Sequence, residues 1–342
     1  MKHQLQFDIP FTGYNALTFS NCFSSIYLYL ERIHDMDEDD FPNNEGKDCN
    51  SFGNCKDTTK KKQEDYYFLF DTLSGRSSMR PEFTESSINI DSMPNTIDFL
   101  IKFTGYNYLI ATDQFAEHIK TSIHADKPVL ARVKSDHDTE GIFRVITGYN
   151  DDLLIMADPS NAQHKPTTPP SYEDILELIV FTEKIEPSYT LIDGLKQIKS
   201  IMDNNLENKV WDTYIQKFMY WNEKLQDADF EEIKLRFKRI CDIAWHNFNC
   251  HNFAEMFRHR IIDELKDSRL DVVCSQIDES YDNSHTRNWQ IIGLNDCRDW
   301  SKRHYNELES GYCNCVILCL EQLKSNDAKV LAAIEKAIEI LK

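Results

Sequence analysis

The residue of this chain best placed to do chemistry is Cys22, in Asn21-Cys22-Phe23-Ser24-Ser25-Ile26-Tyr27-Leu28-Tyr29-Leu30. Apolar side chains at Phe23, Ile26, Tyr27 and Leu30 recur at helical spacing, which predicts a buried helix beginning close to Cys22 and running to about Ile33. A thiol at a helix start faces unpaired backbone N–H groups and the positive end of the helix dipole. Both favour the thiolate, which is the nucleophilic form. The plainer alternative is a small apolar residue in a core helix, the commoner fate of a cysteine outside a disulfide.

Other reactive groups carry less. Cys49 and Cys55 fit no common zinc spacing. His246 and Cys250 form an i, i+4 pair next to His251, but no further ligand is in register, so helix packing is the default. Cys313, Cys315 and Cys319 lie in an apolar helical stretch and read as core. No metal site is expected. There is no Gly-rich phosphate loop, so a phosphate would have to be met by Lys60–Lys62 or by Arg236, Lys238 and Arg239.

The elements that must position Cys22 follow from pattern. Gln4 to Phe11 alternates like a short strand, ahead of a turn at Thr12-Gly13-Tyr14-Asn15. A polar excursion follows over 35–65, with acids at Asp35 to Asp40 and bases at Lys60–Lys62. Tyr66 to Phe70 reads as a strand or buried segment, Thr96 to Phe103 and Gln114 to Ile123 as helices. From Pro128 the texture is β: Val129–Val133, Ile142–Tyr149, Leu153–Asp158 and Leu176–Thr182, with a turn at Asn150-Asp151-Asp152. Beyond Glu186-Pro187 every segment has helical periodicity: Leu191–Met202, Lys209–Leu225, Phe230–Phe248, Phe253–Lys266, Asn288–Leu308, Cys313–Leu323 and Ala328–Leu341. Two domains are expected, 1–187 and 188–342. Phe-Thr-Gly-Tyr-Asn occurs at Phe11 and Phe103, and Ile-Thr-Gly-Tyr-Asn at Ile146. Five residues are too few for a repeat, and turn chemistry reuses such strings.

Composition bounds the setting. A chain of 342 residues, 41% hydrophobic, with no apolar run long enough to span a bilayer, reads as soluble. Met1 to Pro10 lacks the basic-then-apolar layout of a signal peptide, and ten cysteines in so long a chain suit reduced thiols in a cytoplasmic setting. A net charge of −19 repels nucleic acid and attracts cationic ligands such as amines.

A helix-borne cysteine ahead of a β-rich half resembles the papain-like layout. Pro128-Val129-Leu130, Val145 to Asp152 and Ala157-Asp158-Pro159 look like the sheet of the C39-type bacteriocin-processing peptidases. They look most like the N-terminal domain of the butirosin-biosynthesis acyltransferase family, which a following helical domain also suits. The resemblance covers residues 1 to about 185. It implies an α+β papain-like fold, with Cys22 as nucleophile and Asp158 as the acid that orients the base. The family's histidine opens the strand ending in Thr-Gly-Tyr, and that position is Ile142 here. The nearest histidine, His137, lies five residues earlier, roughly 16 Å if extended at about 3.3 Å per residue, so it serves only if the loop folds back. Gly141 permits such a bend. The family's upstream oxyanion amide falls on Ala16, leaving Asn15 and Asn21 as nearby amides and the Cys22 N–H as a further donor.

Three functions follow. The first is acyl transfer: Cys22 takes an acyl group from a carrier-protein thioester on a phosphopantetheine arm and passes it to a small amine, with no cofactor of its own. The resemblance sets this in specialised-metabolite biosynthesis, where an amide synthase of the closthioamide (polythioamide) type would fit. The second is hydrolysis by the same residues, as a cysteine peptidase or amidase. The third, motivated by Ile142, is a papain-like module that binds without catalysis.

Overall fold

The computed structural model describes residues 2–9, 11, 18–33, 58–80, 94–134, 141–151, 153–157, 171–223, 230–249, 267–296 and 310–342. The chain divides into two compact units, Met1–Asp71 with Asp91–Thr190, and Thr72–Ile90 with Leu191–Lys342. The architecture is α+β, with a mixed first unit and helices throughout the described part of the second.

In the first unit the order is β1 (Lys2–Gln4), α1 (Thr18–Leu30), α2 (Thr58–Leu73, to Asp71), α3 (Pro94–Thr104), β2 (Tyr106–Ala111), α4 (Phe115–His124), β3 (Val129–Val133), β4 (Ile142–Asn150), β5 (Leu153–Ala157) and β6 (Ile175–Lys184). The six described strands form one antiparallel sheet in the order β1-β4-β3-β6-β2, with β5 also on β4. β3 is central and is buried at every position but Arg132, which pairs with Glu177 on β6, because both of its faces are covered. Helices α1 and α4 close a core of Leu28, Tyr29, Ile119 and Ile123 over Val129, Ala131, Ile146 and Leu178. Each such aliphatic side chain contributes about 1.5–3 kcal/mol on burial.

Several boundaries move for identifiable reasons. Tyr66–Phe70 is helical, within α2. Its apolar run reads as a strand because almost every residue from Tyr67 to Leu73 is buried, which erases the helical period. The stretch 58–65, within the polar excursion, is the first half of the same helix. The described strand at the N-terminus is Lys2–Gln4, earlier than the alternation at Gln4 to Phe11 suggests. β2 has no counterpart in the sequence reading.

The two described Thr-Gly-Tyr-Asn strings, at 104–107 and 147–150, take different conformations; the one at 12–15 lies outside the described residues. Gly105, at φ +75°, ends α3 and turns the chain into β2, and a Cβ there would lie 2.5 Å from the Ile185 carbonyl oxygen. Gly148 sits inside β4 in extended backbone. Its need is space, since a Cβ would lie 2.5 Å from the His3 carbonyl oxygen on β1.

The second unit contains α5 (Leu191–Glu207), α6 (Val210–Glu223), α7 (Phe230–Asn249), α8 (Asp271–Asp296) and α9 (Ser310–Leu341). Its core joins Trp211, Tyr214, Phe218, Phe237, Ile240, Ile291, Val316 and Leu320. The helix expected from Asn288 begins much earlier, at Asp271. Buried Ser280 and Asn288 dilute its apolar stripe; Asn288 donates to the Ser284 carbonyl oxygen. The two helices expected between Cys313 and Leu341 are one, continuous through Asn326 and Asp327. Asn326 donates to Asn283 and Ser284 of α8, and Asp327 accepts from Arg80 and Trp211. The segment 253–266 lies outside the described residues.

Candidate functional site

α1 begins at Thr18, four residues before Cys22, because Phe19 extends the apolar pattern of Phe23, Ile26 and Leu30 one turn earlier. Cys22 therefore stands in the second turn, where its N–H belongs to the helical ladder rather than to the unpaired first turn. It has no exposed surface. Cys22 is a thiol, as are the described Cys241, Cys274, Cys313, Cys315 and Cys319.

One end of the sheet lies beside this turn. Val133, the last residue of β3, pairs with Ile142, the first of β4, and Ala157, the last of β5, pairs with Val145. The Phe19 ring meets the Phe143 ring edge-to-face at 5.1 Å between centroids. The first turn of α1 thus packs where β3, β4 and β5 have their ends together. Gly141, at φ +84°, leads the chain into β4. His137, Asp158 and Asn15 lie outside the described residues. Ile142 is half-buried and packs against the core formed by α1, α4 and the sheet.

Around Asn21 and Cys22 is a dense set of buried polar side chains. The Gln63 side-chain amide, from α2, donates to Asn21 Oδ1 at 2.8 Å, to Ser24 Oγ at 2.8 Å and to the Asn21 carbonyl oxygen at 3.3 Å. Ser24 and Ser25 hydroxyls donate to the same carbonyl at 3.0 and 3.1 Å. Ser20 Oγ donates to Asp71 at 2.9 Å. Asn21, Ser24, Ser25 and Gln63 are all fully buried, and Gln63 Oε1 has no hydrogen-bond partner. Since Oδ1 of Asn21 is the atom that accepts from Gln63, its NH2 group points elsewhere as a donor. Sequence reading passes over Gln63, which follows three lysines and precedes Glu64-Asp65 and so resembles surface. Its only sequence signal is helical spacing to Tyr66, Tyr67 and Phe70.

At the other end of α1, Glu31 accepts from Tyr106 Oη at 2.5 Å and from Lys184 Nζ at 2.6 Å. Burial foremost, helped by the negative charge of Glu31, pushes the Tyr27 and Tyr106 phenols well above the usual range. Both phenols therefore stay protonated at ordinary pH, and Tyr106 donates to Glu31.

Elsewhere the reactive residues are structural. His246 is buried and donates from Nε2 to the Met79 carbonyl oxygen at 3.2 Å. Burial, with Arg80 nearby, pushes its imidazole down to about 3. Cys250 and His251, like Cys49 and Cys55, are outside the described residues. Cys313 and Cys319 are buried in α9, Cys315 is exposed, and burial pushes the Cys319 thiol up. Among the described residues no group of three or more His, Cys, Asp or Glu could hold a metal ion, and no helix is long and apolar enough to cross a membrane. No protein-family model matches the chain, and no curated protein matches it either.

Proposed function

We propose that the first unit is a papain-like domain and that Cys22 transfers an acyl group from a carrier-protein thioester to a small amine. The Cys22 thiolate attacks the thioester carbonyl and the carrier thiolate leaves. The amine then attacks the Cys22 thioester, an amide forms, the Cys22 sulfur leaves, and the amine proton passes to a base. Thioester exchange is nearly isoenergetic and amide formation from a thioester is downhill, so no nucleotide is required. His137 is the base in this scheme and Asp158 its orienting partner. The phosphopantetheine arm is part of the donor, and the setting is cytoplasmic biosynthesis of a peptide-like metabolite.

The observation that carries this reading is the contact of Phe19 with Phe143. It brings the Cys22 end of α1 to the end of the sheet from which the β3–β4 connection, bearing His137, departs. The same end is where β5 stops, one residue before Asp158. That shared end of the sheet supports a site in which Cys22, His137 and Asp158 act together.

The test is intact-mass analysis of the protein and of Cys22→Ala after exposure to a panel of acyl thioesters. Transfer requires a mass gain that is absent in Cys22→Ala and is discharged faster by an added diamine than by buffer. Discharge by buffer at the same rate makes the protein a hydrolase. A second reading, binding without catalysis, is favoured by the complete burial of Cys22 and by Ile142 at the histidine position. No acyl group on Cys22 with any donor would select it.

A further inference from the structure

The sheet ends at β2, whose partner among the described strands is β6 alone. In an antiparallel edge strand every second residue turns its N–H and C=O away from the neighbour. Among the described residues, the backbone of Tyr106–Ala111 makes no hydrogen bond beyond the ladder to β6, so nothing described there pairs with this outward row. Natural edges are guarded by charged side chains or proline. Tyr106-Asn107-Tyr108-Leu109-Ile110-Ala111 contains neither. Instead Leu109 and Ile110 are 43% and 44% exposed. Successive strand residues face opposite ways, so both faces of the sheet are open and apolar at this border.

Carboxylates outnumber cations beside the edge, with Asp98, Asp113 and Glu183 against Lys102 and Lys184. Tyr108 donates to Asp98 and Asn107 donates to Glu183, both neutral partners, and Asp113 is exposed two residues beyond the strand. Among the described residues, Lys184 is paired with Glu31 while its ammonium also lies over the Tyr106 ring, and Lys102 lies over the Tyr189 ring. Burial, the hydrogen bond to Asp98 and that carboxylate's charge push the Tyr108 phenol up to about 12, in keeping with a negative local field.

We propose that the outer edge of β2 docks an extended, basic segment of a partner protein, which adds a strand to the sheet. Main-chain hydrogen bonds would supply affinity, and lysine or arginine side chains reaching Asp98, Asp113 and Glu183 would supply selectivity. Six residues of strand, about 20 Å, set the length of the segment. A second copy of the chain fits less well, since it would bring a net charge of −19 and the same carboxylates to the edge.

The test uses the full chain and two labelled six-residue peptides, one alternating lysine with valine and one alternating glutamate with valine. Fluorescence anisotropy reads binding, hydrogen exchange reads the amides of 106–111, and sedimentation reads self-association. Expected are binding of the lysine peptide alone, slowed exchange confined to the β2 border, and about ten-fold weaker binding by Leu109→Lys/Ile110→Lys. That variant keeps the unfolding midpoint of the parent, which separates lost docking from lost folding. Equal binding of both peptides, protection elsewhere, or no binding of either overturns the proposal. So does a dimer that already protects 106–111.

Discussion

Gln63 is an expensive residue for a purely structural post. Its oxygen is buried without a partner, which costs about 1–3 kcal/mol, and an apolar side chain would avoid that cost. What it secures is the orientation of Asn21, the residue next to the candidate nucleophile. Gln63→Leu removes the hydrogen bonds that its side-chain amide donates to Asn21 and Ser24, so it should destabilise the first unit by about 1–3 kcal/mol, read as faster exchange of the α1 amides. Gln63→Glu is the sharper probe. A carboxylate facing the acceptor oxygens of Asn21 and Ser24 has its folded-state pKa raised above the unfolded value of about 4.3. Its stability should therefore approach that of wild type at low pH and fall as pH rises through the raised pKa. His246 runs in the opposite sense. Its folded value of about 3 lies below the ordinary 6.5, so the unfolded state binds the extra proton. Stability is whole above about pH 6.5 and is lost on acidification toward 3, by about 1.4 kcal/mol per pH unit. His246→Gln, which can still donate to Met79, should flatten that limb in urea titrations between pH 7 and pH 5.

Elements held by close approach give predictions of another kind. β1 is a three-residue strand lying against Gly148, with Leu5 N–H donating to the Thr147 carbonyl as its continuation. Gly148→Val puts a branched side chain where the His3 backbone lies, so β1 should detach while β3 and β4 keep their pairing. Hydrogen exchange checks this: the Leu5 amide exchanges rapidly and Val129–Val133 stays protected. The same scale explains what sequence reading could reach. The strands β3 to β6 were legible because β-branched runs there are short and bounded by turn residues. Tyr66–Phe70 was not, because burial on all sides leaves no period to read. β2 was missed because two of its four central residues point to solvent and its alternation is broken by the register shift after Tyr106. For the candidate site, the thiol-bearing helix is legible from Phe23, Ile26 and Leu30, and Phe19 extends that pattern one turn earlier, while its contact with Phe143 is long-range and leaves no mark in the local sequence. Gln63 was hidden in a lysine-rich run for the same reason: its partners are about forty residues away.

For the whole molecule, the division into units does not follow chain order, because Thr72–Ile90 groups with Leu191–Lys342. The physical tie is a charge cluster. Arg80 donates to both oxygens of Asp327, at 3.0 and 2.8 Å, and Trp211 Nε1 donates to the same carboxylate at 2.7 Å. The two charged side chains are 4% and 12% exposed, so the pair is close to fully desolvated. Removing one partner of such a pair typically costs about 3–5 kcal/mol, whereas replacing both with apolar groups recovers much of it. All five tryptophans lie within Leu191–Lys342, so their fluorescence follows the helical unit. Arg80→Met should therefore lower the urea midpoint of the tryptophan transition by that large amount, although residue 80 precedes the helical half by more than a hundred positions. Arg80→Met/Asp327→Leu should restore most of the midpoint, with the coupling given by the double-mutant cycle. A tryptophan transition indifferent to Arg80→Met would mean that Thr72–Ile90 lies against the helical unit without stabilising it. A midpoint that falls further in the double variant would mean that Asp327 acts through Trp211 rather than through the ion pair.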